Sequence, residues 1–108
     1  MRLLYVTRDY PPAVGGMERN AAEMTAALAR AGHTVRVLAP QGTQAMPGTE
    51  LLPYRLHRNW HVAGAWLRWV ALGHTLSFRP DAIIANTWSP CGWAARLAAR
   101  VANIPLFI

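Results

Sequence analysis

The chain has 108 residues, 53% of them hydrophobic and 15% charged, which is enough for one domain with a real core and excludes both two domains and a disordered chain. Its 11 arginines, no lysine and 5 acidic residues give a net charge of +6, a field that favours anionic partners such as nucleotide phosphates, anionic lipid or nucleic acid. The one cysteine, Cys91, excludes an internal disulfide and fits a reducing compartment.

Residues 3–7 read as a buried strand and 17–31 as a helix. Met17, Ala21, Met24, Leu28 and Ala31 recur at helical spacing and are expected to form the core stripe of that helix. Gly32 is its expected stop. Residues 34–38 are a second strand, 40–50 a polar loop rich in Gly and Pro, and 51–57 a weaker third strand. Pro53 removes a ladder donor there, which points to a sheet edge. A second helix over 62–77 carries Val62, Trp66, Trp69, Gly73 and Leu76 on one side. A turn at 79–81 leads to a fourth strand at 82–85, a loop at 86–90, a third helix at 91–102 and a fifth strand from 104. Arg96 and Arg100 share the outer face of the third helix. Met1-Arg2 leads directly into a strand without a cleavage site, so no signal peptide is expected. No apolar run reaches spanning length.

Strands alternating with helices predict a Rossmann-like α/β fold, a parallel sheet of order 3-2-1-4-5 with helices on both faces. That order makes strands 1 and 4 neighbours across the switch point, so the loops at 8–16 and 86–90 border one crevice. The first of these loops holds Pro11, Pro12, Gly15 and Gly16 between strand and helix. The prolines end the ladder, and the glycines allow close approach of a ligand to backbone N–H groups at a helix start. A plain strand-to-helix connection would use the same residue types. In the second loop, Asn86, Thr87 and Trp88 can hydrogen-bond or stack on a ligand.

Other chemistry finds less support. The arginines are scattered, which speaks against a nucleic-acid patch. The four histidines lack Cys or carboxylate partners at ligand spacing, so no metal is expected, and His33 beside Gly32 is read as stabilising the helix end. Cys91 is read as a small buried residue, Asp9 as a solvated or Arg-paired carboxylate, and Arg19 as surface. Trp60, Trp66 and Trp69 with Arg55, Arg58 and Arg68 have the composition of a membrane-facing element. The preferred reading packs Trp66 and Trp69 on the sheet and uses Trp60 to cap the helix, because the polar face is not rich in Arg.

Four passages in order resemble the N-terminal lobe of family 4 glycosyltransferases, which have two-lobed GT-B architecture. They are Leu3-Leu4-Tyr5-Val6-Thr7 with Tyr10-Pro11-Pro12 and Gly15-Gly16-Met17-Glu18-Arg19; the run from Leu28 through Gly32-His33 to Leu38; Arg79-Pro80-Asp81-Ala82-Ile83-Ile84-Ala85; and Asn103-Ile104-Pro105-Leu106. The resemblance implies transfer of a sugar from a nucleotide-sugar donor to a glycan or lipid-linked acceptor, without metal or other cofactor. It places Gly15 and Gly16 at the donor diphosphate and Asn86, Thr87 and Trp88 on the acceptor side. It also implies that residues 1–108 are a partial acceptor-side lobe lacking the C-terminal donor lobe, not competent alone. A cytoplasmic protein is expected, with peripheral contact at the inner membrane face as a further option. Where family members often carry a histidine after the fourth strand, this chain has Asn86, which cannot titrate near neutrality. Two rival readings stay open. One is a dehydrogenase-type nucleotide module, although G-x-G-x-x-G spacing is missing. The other is a non-catalytic interaction module or truncated remnant.

Overall fold

The computed structural model describes residues 1–7, 16–40, 47–54, 60–85 and 91–108, and the side chains of 16–18 and 60–64 lie outside that description. The elements in chain order are β1 (Arg2–Val6), α1 (Gly16–Arg30), β2 (Thr34–Pro40), β3 (Thr49–Tyr54), α2 (Trp60–Phe78), β4 (Ala82–Ala85), α3 (Trp93–Ala102) and β5 (Leu106–Phe107). All pairings are parallel, in the order β3-β2-β1-β4-β5. This is the Rossmann-like sheet that the alternation predicts. Pro53 lies in the edge strand β3, where only one neighbour requires ladder bonds.

Side chains alternate across the sheet as period two demands. Tyr5, Val35, Val37 and Ala39 meet Ala21, Leu28 and Ala29 of α1 on one face. Leu4, Val6, Leu38, Ile83 and Ala85 meet α2 and α3 on the other. Helix α3 turns Ala94, Ala95, Ala98 and Ala99 inward. Methyl side chains let its backbone lie close to α2 and the sheet, at little cost in side-chain entropy.

Two expected core stripes are corrected. In α1 the inner residues are Ala21 and Thr25, flanked by Leu28 and Ala29, while Met24 is 43% exposed and Ala31 is exposed. The Thr25 hydroxyl donates to Ala21 O at 2.9 Å, which makes a polar residue acceptable there. In α2 the inner residues are Leu67, Ala71, Thr75 and Phe78. Trp66 and Trp69, expected to pack on the sheet, are 47% and 63% exposed, and Leu76 is exposed with them. The reason is room. Helix α2 packs against α3 as well as the sheet, and a ridge holding Ala71 and Thr75 permits an approach that indoles would block.

Each helix ends on a left-handed residue. Gly32 (φ 96°) and Asn103 (φ 56°) follow α1 and α3; His33 N donates to Leu28 O and Gly32 N to Ala29 O at the first, and Ile104 N to Ala99 O and Asn103 N to Arg100 O at the second, the paired bonds of a Schellman stop. Arg79 (φ 53°) follows α2 and donates to Thr75 O at 2.9 Å. The expected stop at Gly32 is therefore present. The His33 ring itself meets the amino terminus, whose nitrogen lies 3.2 Å from Nδ1.

Candidate functional site

The C-terminal ends of β1 and β4 lie side by side, with Val6 opposite Ala85. The next described residue after β1 is Thr7, fully buried, whose N–H donates to Leu38 O at 3.0 Å. The Tyr54 hydroxyl, from the end of β3, donates to Thr7 O at 3.0 Å. The residue from which the first candidate loop departs is thus tied on both its backbone groups, once to β2 and once across β2 to β3. Tyr54 is a support that sequence reading missed, because a tyrosine ending an edge strand carries no signal of the carbonyl it reaches.

Helix α1 must start on this same side. Its C-terminal end lies by the beginning of β1, since Thr34 N, just past the Gly32 stop, donates to Met1 O at 2.9 Å. A helix over Gly16–Arg30 extends about 22 Å at 1.5 Å per residue. Its N-terminus, with first-turn N–H groups that have no partner within the helix and the positive end of the helix dipole, therefore lies at the C-terminal edge of the sheet. Gly16 is the first residue of that helix. Gly15, Asn86, Thr87 and Trp88 lie outside the described residues, as do Arg8, Asp9, Arg55, His57 and Arg58 and the side chains of Trp60 and His61.

The start of α3 borders the same edge. Gly92 already has helical dihedrals (φ −63°, ψ −44°) and no side-chain cap serves this terminus. Cys91 is completely buried in the α2–α3 core, among Ala94, Ala95 and their neighbours. It is the small buried residue expected, not a nucleophile facing solvent. Arg19 is exposed, as a surface residue should be.

The described titratable cluster sits at the opposite, N-terminal end of the sheet. Guanidinium groups of Arg2 and Arg36 lie 4.6 and 4.3 Å from the centroid of the Phe78 ring. Arg36 Nε also approaches Glu50 Oε2 at 2.9 Å, as an ion pair whose N–H is not aligned for a hydrogen bond. Burial, and then the charge of Arg36, hold the imidazole of His74 below its ordinary value of 6.5. This cluster is structural: it packs the return from α2 to β4 and is remote from the crevice. Among the described residues, no group of three His, Cys, Asp or Glu could hold a metal ion, and no helix is long and apolar enough to cross a membrane.

The second feature of the helical layer is a groove of about 280 Å³ between α2 and α3, lined by Arg68, Trp93, Arg96, Leu97 and Arg100. The sequence places Arg96 and Arg100 together on the outer face of α3, but the contribution of Arg68 from another helix becomes visible only in the packed layer.

Comparison with known proteins places this geometry in a family. The chain is similar to the glycogen synthase of Mycobacterium tuberculosis, in two strains, at 31% identity over 116 aligned positions; the match covers 82% of this chain and 28% of the synthase. MurG of Acinetobacter baumannii has the same fold over 97% of this chain and 33% of its own, with TM-score 0.68 and 18% identity. The C-terminal domain of a Pyrococcus furiosus hydrogenase also shares it, over 97% of this chain and 87% of that one, with TM-score 0.65 and 11% identity. At those identities the two structures establish the fold alone. The chain spans 28% of the length of the curated relatives it matches. The glycosyl transferase 4-like domain matches residues 15–108, nearly the whole sequence including the α1 start, β4 and α3, and the chain belongs to that family.

Proposed function

We propose that this chain is the acceptor-side lobe of a glycosyltransferase that moves a sugar from a nucleotide-sugar donor to a glycan or lipid-linked acceptor. The observation that carries the reading is the family match over residues 15–108, set on a sheet whose β1 and β4 ends adjoin beside the α1 N-terminus. In this reading Gly15 and Gly16 let the donor diphosphate approach backbone N–H groups. Negative charge develops on the leaving phosphate as the glycosidic bond breaks, and fixed N–H dipoles stabilise it without reorganisation. No metal or other cofactor takes part. Asn86 and Thr87 hydrogen-bond acceptor hydroxyls, and Trp88 offers a face to the sugar ring. A second, donor-binding lobe completes the active site, so the 108-residue chain alone does not catalyse transfer. A lipid-linked acceptor brings the lobe to the cytoplasmic surface of a membrane as a peripheral protein.

The test uses the longer protein that contains this lobe, with a panel of labelled nucleotide sugars and product analysis. Transfer by that protein and none by residues 1–108 is the expected pattern. Gly16→Val should lower kcat by about a hundredfold, since a β-branched side chain at the helix start blocks phosphate approach. Unchanged turnover in that variant removes the proposed role of the glycine loop, and saturable binding of NADH in place of sugar transfer replaces the whole reading by a dehydrogenase-type one.

A further inference from the structure

The groove between α2 and α3 lies on the face of α3 opposite its buried alanines, and its composition is unusual. Trp93, Arg96, Leu97 and Arg100 are spaced at i, i+3, i+4 and i+7, which puts them on one face of α3. Ala94, Ala95, Ala98 and Ala99 occupy the opposite, buried face. Arg68 comes across from α2, and its guanidinium lies 5.4 Å from the centroid of the Trp93 ring. Arg96 and Arg100 are exposed, and Trp93 is 45% exposed. Neither α2 nor α3 contains an acidic residue. Among the described residues no carboxylate forms an ion pair with any of these three arginines; the ion pair present is Arg36–Glu50.

Three like charges converging on one groove repel one another, and nothing described in the chain offsets that repulsion. The helix dipole favours Arg100, in the last turn of α3, but not Arg96 in the middle or Arg68 on another helix. Guanidinium groups match phosphate oxygens in planar, two-pronged geometry. An indole already stacked by a cation leaves its exposed part for an apolar or ring-shaped moiety beside the phosphate. A space of about 280 Å³ suits a small phosphorylated group.

We propose that the α2–α3 groove is a phosphate-binding site, distinct from the glycosyl-transfer crevice. Arg68, Arg96 and Arg100 hold the phosphate of a phosphate ester, and Trp93 covers the adjoining organic part. The phosphate comes either from a soluble ester or from an anionic lipid headgroup.

The experiment titrates the 108-residue chain at constant ionic strength with glycerol phosphate, and separately with phosphatidylcholine vesicles containing phosphatidylglycerol. Indole fluorescence and the arginine Nε–Hε resonances are followed. The expected result is a saturable response with shifts at Arg68, Arg96 and Arg100. The double variant R96Q/R100Q should weaken half-saturation by about tenfold or more. A charge-matched control, R30Q/R79Q, alters exposed arginines elsewhere and should leave it unchanged. Response to glycerol phosphate identifies a soluble ester as the source, and response to vesicles alone identifies the headgroup. No response in either arm, resonance shifts confined to other arginines, or equal weakening in both double variants overturns the proposal. The resonance map of the unmodified chain decides the matter even if R96Q/R100Q fails to fold.

Discussion

Arg79 holds left-handed backbone at φ 53° to end α2, the same role that Gly32 fills for α1 and Asn103 for α3. A Cβ in that conformation costs roughly 1 kcal/mol, a cost that asparagine offsets with local side-chain hydrogen bonds and that glycine lacks. Arg79→Gly should therefore raise Tm by about 4 °C, measured by thermal circular dichroism. His74 poses a different question at the same scale. Its folded-state pKa is lowered, by burial first and by Arg36 second. A base with a lowered folded pKa binds more protons when unfolded, so stability is complete above 6.5 and falls as pH drops through 6.5 towards the folded value. Urea titrations between neutral and mildly acid pH should show that loss, and His74→Gln should flatten it. The Arg36→Gln variant should move the His74 titration upward in NMR.

Element boundaries follow largely from capping and periodicity, but the facing of an element does not. Helix α2 is apolar nearly all round, so its stripe of Trp66, Trp69, Gly73 and Leu76 fits the helical period as well as the ridge of Leu67, Ala71, Thr75 and Phe78 that is buried. Only the need to pack against α3 and the sheet together selects the smaller ridge. The connection from β2 to β3 shows the same dependence on neighbours. Gly48 has φ 79°, and a Cβ added there would lie 3.1 Å from the Ala29 Cβ of α1. Gly48→Ala combines a left-handed backbone with a tight contact against a helix, and should cost about 1–2 kcal/mol in chemical denaturation. The glycine marks a turn in sequence; that α1 is what it lies beneath is decided in three dimensions.

At the scale of the molecule, the sheet has two unlike edges. One is β3, where Pro53 interrupts the row of donors. The other is β5, which among the described residues pairs with β4 alone and is followed by Ile108; Phe107 and Ile108 are 58% and 57% exposed. An unpaired edge with exposed apolar side chains is a template for association. Sedimentation velocity on the 108-residue chain should show concentration-dependent self-association, and Phe107→Lys should suppress it. A monomer at all concentrations would mean that this edge is not adhesive. The two proposed anion sites lie at different places in the fold, the first at the α1 start by the sheet's C-terminal edge and the second in the arginine groove between α2 and α3. They come from different physics, backbone dipoles in the first and side-chain charge in the second.

What the amino-acid sequence determined by itself is the succession of elements, the strand order and the adjacency of β1 and β4. Those depend on local quantities: alternation of apolar residues, prolines and glycines at the turns, and the short connections that leave few topologies. The adjacency of β1 to β4 was legible for the same reason, whereas Gly15, Asn86, Thr87 and Trp88 lie outside the described residues. Tertiary structure alone decided which face of α1 and α2 turns inward, that Tyr54 secures the Thr7 carbonyl across a strand, and that Arg68 joins Arg96 and Arg100 around Trp93. Such contacts join residues far apart in the chain, and they depend on how closely side chains of given volume let helices approach. Periodicity along one element carries no record of that fit.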